Sequence, residues 1–321
     1  MNKPDVMRFY FDLELNLFKL HEELLNKTYR HGSYVSFYIH DPKRRHINKA
    51  QVRDRILHHA IFSILNPIFE PTYIAESFSC RDNKGTHKGV RVLAAMLRRV
   101  SGNGINQCYG LKGDVKKFFD SVDHKILKEI ISKKIKDTEV LRLVSIVIDS
   151  YKSKRSEVFA PKGIPIGNLT SQLFANLYLN ELDQFVKHGL KIKNYARYTD
   201  DFVIVARDKE YLEAMKIAID DFLKTKLKLE LHPDKVIIRK FGQGLDFLGY
   251  VVKERCLLLR TKTKRRILKK MKSGSEKYQA GLLDKADLER SLQSYLGVLS
   301  HAKTRRLREK LINDFWFWTA K

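Results

Sequence analysis

Cysteine is scarce. Three residues in a chain of 321, at positions 80, 108 and 256, stand too far apart for a disulfide framework or a zinc cluster. A reducing compartment is the simplest surrounding for them. No apolar run approaches the ~18–20 residues that span a bilayer, so an ordinary membrane span is excluded. The first twenty residues mix acids into their apolar stretch and have no small-residue cleavage site, unlike a secretory signal. Internal repeats and low-complexity tracts are absent as well. Acid is also in short supply: 37 Asp and Glu face 62 Lys and Arg, a net charge of +25.

What is present is a core. Hydrophobic residues make up 43% and aromatics 11%, too apolar for a disordered chain. The length suits one large domain or two to three small ones. The excess positive charge opposes compaction, so a polyanionic partner is expected, and nucleic acid fits best. A membrane surface fits less well, because the charge runs along the whole chain and is not gathered on one amphipathic segment.

Apolar spacing predicts a helix over 5–29 and a short strand over 35–40, ahead of Pro42. It predicts further helices over 51–66, broken by Pro67, and over 89–100, followed by a glycine-rich turn. A short strand ends at Asp114, and Asp123 can cap the helix whose buried side is Ile126, Leu127, Ile130 and Ile131. Residues 139–150 read as helix and 151–162 as loop or hairpin. A turn at 163–168 opens another helix, and two apolar strands flank the polar tip at 198–201. Beyond a helix at 210–226, a hairpin opens at Phe247, and the remainder is basic and helical. Helices and strands mix without a βαβ rhythm, so the expected class is α+β with a mostly antiparallel sheet.

The sharpest feature is Tyr198-Thr199-Asp200-Asp201. Two adjacent acids at the head of an apolar strand are costly if buried unpaired. Successive strand side chains point oppositely, so a turn is needed for both acids to serve one site. Asp114 ends a separate strand, with Asp120 six residues on. Hard divalent cations need oxygen ligands, and two ions roughly 3.5–4 Å apart call for carboxylates from separate strands. Such a pair of ions suits phosphoryl transfer. An Asp-Asp pair alone is also common in surface turns.

Four segments then combine in order: Asp114-Val-Lys-Lys-Phe-Phe-Asp-Ser-Val, Gly163-Ile-Pro-Ile-Gly-Asn-Leu-Thr-Ser-Gln, Tyr198-Thr-Asp-Asp and Phe247-Leu-Gly-Tyr. On these the chain resembles reverse transcriptases of the diversity-generating retroelement type, from about Pro42 to the end. The Gly163 segment discriminates: intron-encoded and retroviral relatives usually carry Gln where this chain has Ile166 and Pro where it has Gln172. Thr199 departs from the commoner Met or Ala, which bears on speed and fidelity more than on activity.

The resemblance implies a right-hand polymerase. Its parts are an N-terminal helical extension (1–30), fingers (31–110), palm (111–250, with fingers elements around 121–165), and the end of a primer-grip hairpin with a basic helical thumb (251–321). It implies two Mg²⁺ ions, with Mn²⁺ as a substitute, held by Asp114, Asp200, Asp201 and the Val115 carbonyl. It implies nucleotide contacts at Lys43, Arg45, Phe119, Ile166 and Gly167, with Phe119 excluding a ribose 2′-hydroxyl. Lys235 matches a lysine proposed to protonate pyrophosphate. Phe247, Leu248, Gly249 and Tyr250 match the primer grip. Each has a plainer reading: a solvated basic loop for Lys43 and Arg45, a surface lysine for Lys235, an ordinary strand for Phe247 to Tyr250, and core packing for Phe119 together with Phe118.

Residues 262–272 carry seven basic residues and no acid, interrupted by Ile267, Leu268 and Met271 at helical spacing. In a thumb, Lys262, Lys264, Arg265, Arg266, Lys269 and Lys270 would follow the backbone of an RNA–DNA hybrid. A solvated helix face is the alternative. The aromatic run at 315–318 is expected to pack, and His58, His59 and His87 form no metal spacing.

The implied activity is RNA-directed DNA synthesis, error-prone opposite template adenine. The implied partners are a template RNA, deoxynucleoside triphosphates and a small basic accessory protein, and the implied location is the cytoplasm, the protein being bacterial or phage-encoded. Two other readings remain: a retron or phage-defence reverse transcriptase, and a non-catalytic RNA-binding protein on a polymerase fold. The metal reading requires Asp114 to lie near Asp200 and Asp201.

Overall fold

The structure is a computed structural model that describes residues 3–41, 43–154, 156–157 and 160–319. It opens with helices α1 (Pro4–Phe11) and α2 (Leu13–Leu25). The single helix expected over 5–29 is interrupted at Asp12. There the Asn16 side-chain amide donates to the Phe9 carbonyl (3.0 Å), satisfying a group the break exposes. Strands β1 (Val35–Ile39) and β2 (Arg45–Lys49) form an antiparallel hairpin; Pro42, in its connection, lies outside the described residues.

Helix α3 (Val52–Phe69) runs past Pro67. The expected break fails because Leu65 and Phe69, on either side of the proline, are both buried in the core and hold the last turn in place. Helix α4 (Thr86–Ser101) ends at Gly102, whose left-handed φ of +59° turns the chain. Strand β3 (Tyr109–Asp114) leads through the short α5 (Phe118–Ser121) to α6 (His124–Ser132). Asp123 caps α6 as expected, accepting from the Ile126 amide at 3.1 Å. Helix α7 (Thr138–Asp149) follows. The described part of 151–162 holds isolated bridges only, Glu157 with Ala160 and Lys162 with Asp123.

Helix α8 (Leu169–Gln184) is buried on nearly every side, as suits a central helix. Strands β4 (Tyr195–Tyr198) and β5 (Asp201–Ala206) form the hairpin that carries the polar tip. Helix α9 (Lys209–Leu227) precedes β6 (Ile237–Lys240). Strands β7 (Leu245–Phe247), β8 (Tyr250–Val252) and β9 (Leu257–Leu259) make a small sheet of their own. The last three helices are α10 (Thr261–Gln279), α11 (Lys285–Ser300) and α12 (Arg305–Thr319). The spacing missed β2, β6 and β9, which are short and polar or follow basic residues.

The central sheet has the order β4-β5-β3-β6, antiparallel throughout, so the α+β expectation holds. Strand alternation splits β5 between two cores. Phe202 and Ile204 join the core built on α3, α6, α7, α8 and α9. Val203 and Val205 join a second core with α4 and the β7–β9 sheet. Burial on both faces explains why β5 reads as an unbroken apolar run. A third core, around Ile267, Met271, Leu292, Leu299 and Phe315, holds α10 to α12 together. In the terminal aromatic run Phe315 is buried and Trp318 packs against the third core, while Trp316 and Phe317 are largely exposed. A boundary at 250/251 would cut through β8, and one at 110/111 through β3.

The chain after α2 is pinned to α3 through buried polar groups. Asp54 accepts from the Tyr29 hydroxyl at 2.8 Å and from the Gly32 amide at 3.1 Å, and the His31 and His58 rings meet at 3.1 Å. Burial, then the neighbouring His31, pushes His58 down from 6.5 to about 4. The unfolded chain takes this proton near 6.5 and the folded chain does not. Stability is therefore full above 6.5 and is lost as pH falls toward 4, by up to ~3 kcal/mol. Melting temperature should drop across that window, and His58→Leu should flatten part of the drop. An unchanged profile in the variant would count against this account.

Candidate active site

β3 and β5 run antiparallel in a register that sets Asp114 directly opposite Asp201. One residue earlier in β3, a Cβ on Gly113 would run into the Phe202 ring, so glycine is what lets the strands close at this end. Asp200 sits in the turn between β4 and β5. Its carbonyl accepts from the Val115 amide at 3.3 Å, which ties the turn to the end of β3. Thr199, just before it, has a φ of +52°, rare for a β-branched residue. That turn solves the alternation problem posed by adjacent acids and brings all three carboxyls into mutual electrostatic range.

The electrostatics reflect the crowding. Burial, then the charges of Asp201 and Asp114, raise Asp200 from 3.8 to about 6. Asp201 is also raised, by burial first, with Asp114 adding and Lys112 and Lys235 opposing. The Lys235 ammonium lies 2.6 Å from an Asp114 oxygen, and the Lys112 ammonium 3.8 Å from Asp201. Lys235 is held there by the turn after β3's partner loop, where the His232 amide donates to the Asp114 carbonyl at 2.7 Å. Two cations thus stand beside a cluster of oxygen donors. Among the described residues no three His, Cys, Asp or Glu side chains converge closely enough to cage an ion as they stand. In chemistry, hard carboxylate oxygens with unbalanced negative charge fit a divalent cation of the magnesium type.

Asp200 and Asp201, with Asp120, line a cleft of about 520 Å³. Arg45, Phe119, Ile166, Gly167 and Leu248 line it too, drawn from β2, α5, the 163–168 turn and the β7–β8 turn. Phe118 is fully buried beside Phe119, which supports core packing for that ring. Gly167, at φ +112°, passes so close to Ile47 that a Cβ would lie 2.7 Å from its methyl. The buried Asn168 clamps the same turn to β2, donating to the Asn48 carbonyl (2.7 Å) and accepting from the Ala50 amide (3.0 Å).

Other expected positions are more spread out. Lys43 is exposed on the β1–β2 connection and does not line the cleft. Phe247 and Tyr250 are buried, and the left-handed Leu248 and Gly249 form the two-residue tip between them. On α10, Lys262, Lys264, Arg265, Lys269 and Lys270 are exposed and Arg266 half-buried, while Ile267 and Met271 face inward. Lys270 forms an ion pair with Asp41 of the β1–β2 connection.

Known proteins can now be set beside this geometry. Residues 39–252, about two thirds of the chain, match the family model described as reverse transcriptase (RNA-dependent DNA polymerase). The chain belongs to the reverse transcriptase family. Its curated relatives include protein YkfC of Escherichia coli K12, 26% identical over 74% of this chain and 71% of that one. The group II intron-encoded protein LtrA of Lactococcus lactis subsp. cremoris is also 26% identical, over 74% of this chain and 49% of its own. The chain thus spans about half the length of LtrA. Among solved structures, apo telomerase from Candida tropicalis superposes with a TM-score of 0.55 at 11% identity, covering 90% of this chain and 62% of that one. Its form truncated from the C-terminal domain gives 0.53 at 14% identity, over 71% and 54%. At these identities the likeness is one of fold: the right-hand polymerase fold.

Residue spacing missed several groups around the acids of this reverse transcriptase. Lys112 and Asn168 were invisible as partners because their contacts lie in other elements. Arg197 and Asp183 carried a signal that went unread: a charged residue inside an apolar strand and another in a buried helix.

Three carboxyls held close raise one another's charge cost in the absence of a cation. Asp200→Asn should therefore stabilise the protein in chelator above pH 6 by ~1–3 kcal/mol. Calorimetric melting with and without added Mg²⁺ checks this. Added cation should cancel the gain, and a variant no more stable than the parent would show that the cluster is not strained.

Proposed function

We propose that this chain copies RNA into DNA by nucleotidyl transfer, and that it is the polymerase of a diversity-generating retroelement. The observation carrying the first part is the register that sets Asp114 opposite Asp201, with Asp200 in the adjoining turn. Asp114, Asp200, Asp201 and the Val115 carbonyl would hold Mg²⁺, or Mn²⁺ in its place, which would supply charge neutralisation on the phosphates. The primer 3′-hydroxyl gives its proton to solvent, its oxygen bonds the α-phosphorus, and the bond to the bridging oxygen breaks to release pyrophosphate. Catalysis of this kind is mainly positioning and electrostatics.

The chain's own groups divide that work. Arg45, at the cleft rim, presents a forked donor to the triphosphate, with Lys43 adding long-range attraction. Phe119 closes the floor where a ribose 2′-hydroxyl would sit. Lys235 balances the charge of Asp114; proton donation to pyrophosphate is a further role for the same ammonium. The Leu248–Gly249 tip carries the primer end, and the basic face of α10 follows the hybrid backbone. On this reading 1–30 is an N-terminal extension, 31–110 fingers, 111–250 palm, and 251–321 the hairpin end with the thumb. Template RNA, deoxynucleoside triphosphates and a small basic accessory protein are the proposed partners.

The retroelement assignment rests on Ile166 lining the cleft. An aliphatic side chain keeps the volume of a glutamine but offers no hydrogen bond, and discrimination built on hydrogen bonds is lost steeply without them. Primer extension on RNA with single deoxynucleotides and product sequencing tests both parts. Asp200→Asn should lower incorporation by at least ~10³-fold. Ile166→Gln should reduce errors opposite adenine, and an unchanged adenine error frequency would sink that half of the proposal. Phe119→Val should admit ribonucleotides. A protein that binds RNA yet never extends a primer would favour a binding role.

A further inference from the structure

Among the described residues, Arg197 is the largest side chain that solvent does not reach. Its partner Asp183, on α8, is equally buried. A buried ion pair is weak evidence for stability, since well-packed apolar residues usually do as well. The guanidinium has a second set of contacts that apolar residues cannot reproduce.

One edge of the fork binds Asp183 twice, at 2.7 and 2.5 Å, and Tyr195 donates to the same carboxylate at 2.7 Å. The other edge reaches forward. It donates to the Thr199 carbonyl at 3.1 Å and to the Ser77 hydroxyl at 3.2 Å. The Thr199 carbonyl belongs to the peptide that leads into Asp200, so this bond fixes the plane from which Asp200 departs. The peptide on the other side is fixed by Val115, whose amide donates to the Asp200 carbonyl. Thr199 holds its left-handed φ of +52° with its own hydroxyl bonded to Ser79 at 2.7 Å. Such a conformation persists only where the surroundings over-determine it.

We propose that Arg197 is a positioning residue: anchored on Asp183, its guanidinium holds the Thr199–Asp200 peptide in the left-handed turn and so aims Asp200 at the cation position beside Asp114. This rests on the reading of the acids as a cation site, and goes beyond it by assigning the device that sets their direction. The fork is essential, because one ammonium cannot span Asp183 and the Thr199 carbonyl together.

Two variants test it. Arg197→Lys keeps a cation against Asp183 and loses the forward bond. The paired Asp183→Leu/Arg197→Met removes both buried charges. Mn²⁺ binding to the nucleic-acid-free protein is read by electron paramagnetic resonance, and amide hydrogen exchange is read at 199–201, in α8 and in β5. Both variants should bind Mn²⁺ at least ~10-fold more weakly, with faster exchange confined to the turn. In single-nucleotide extension, kcat should fall by ~10²-fold with KM changed less than about three-fold. Wild-type Mn²⁺ affinity and turn exchange in either variant would overturn the proposal, as would exchange rising equally across α8 and β5. If the parent protein does not extend primers, the polymerase reading fails, while Mn²⁺ binding and exchange still judge Arg197.

Discussion

Like charge held close is the constraint around which the rest is arranged. Asp114 and Asp201 face one another across two strands, and Asp200 joins them from the turn. Left alone, three carboxylates would move apart. They stay because the backbone gives them no choice: β5 is buried on both faces, Gly113 lets Phe202 cross over β3, and Val115 ties down the turn. The energy stored there is a burden on the fold and an asset to any chemistry that needs a cation.

The cluster also explains where the positive charge goes. With +25 overall, most cations are spread over solvent, but Lys235 and Lys112 stand against the acids themselves. The strongly basic α10 faces outward, and its Lys270 meets Asp41 across the molecule. Composition thus has a spatial meaning that a net charge lacks: some cations face the acid cluster and others face solvent.

Much of the architecture was readable in one dimension. The strand ending at Asp114, the Asp123 cap, the hairpin around 198–201 and the basic helix all follow from apolar period and capping chemistry, which are local. Pro67 misled because its helix end is held by long-range burial of Leu65 and Phe69, which outweighs the missing amide. The short strands β2, β6 and β9 were missed because a run of three to five residues, mixed as in β2 and β6 or wholly apolar as in β9, carries no period of its own and exists as a strand only through its neighbours.

The site divides in the same way. Sequence alone singled out the candidate residues, since the acids, the Gly163 segment and the Phe247 turn are contiguous patterns with a chemical reason for each residue type. Tertiary structure alone decided how they meet: that Lys235 falls on Asp114, that Asn168 clamps β2, and that Arg197 reaches from Asp183 to the peptide before Asp200. The reason is physical. Residue identity sets what a group can bind, while direction and distance between groups far apart in the chain are fixed only when strands take their register and a helix buries its partner.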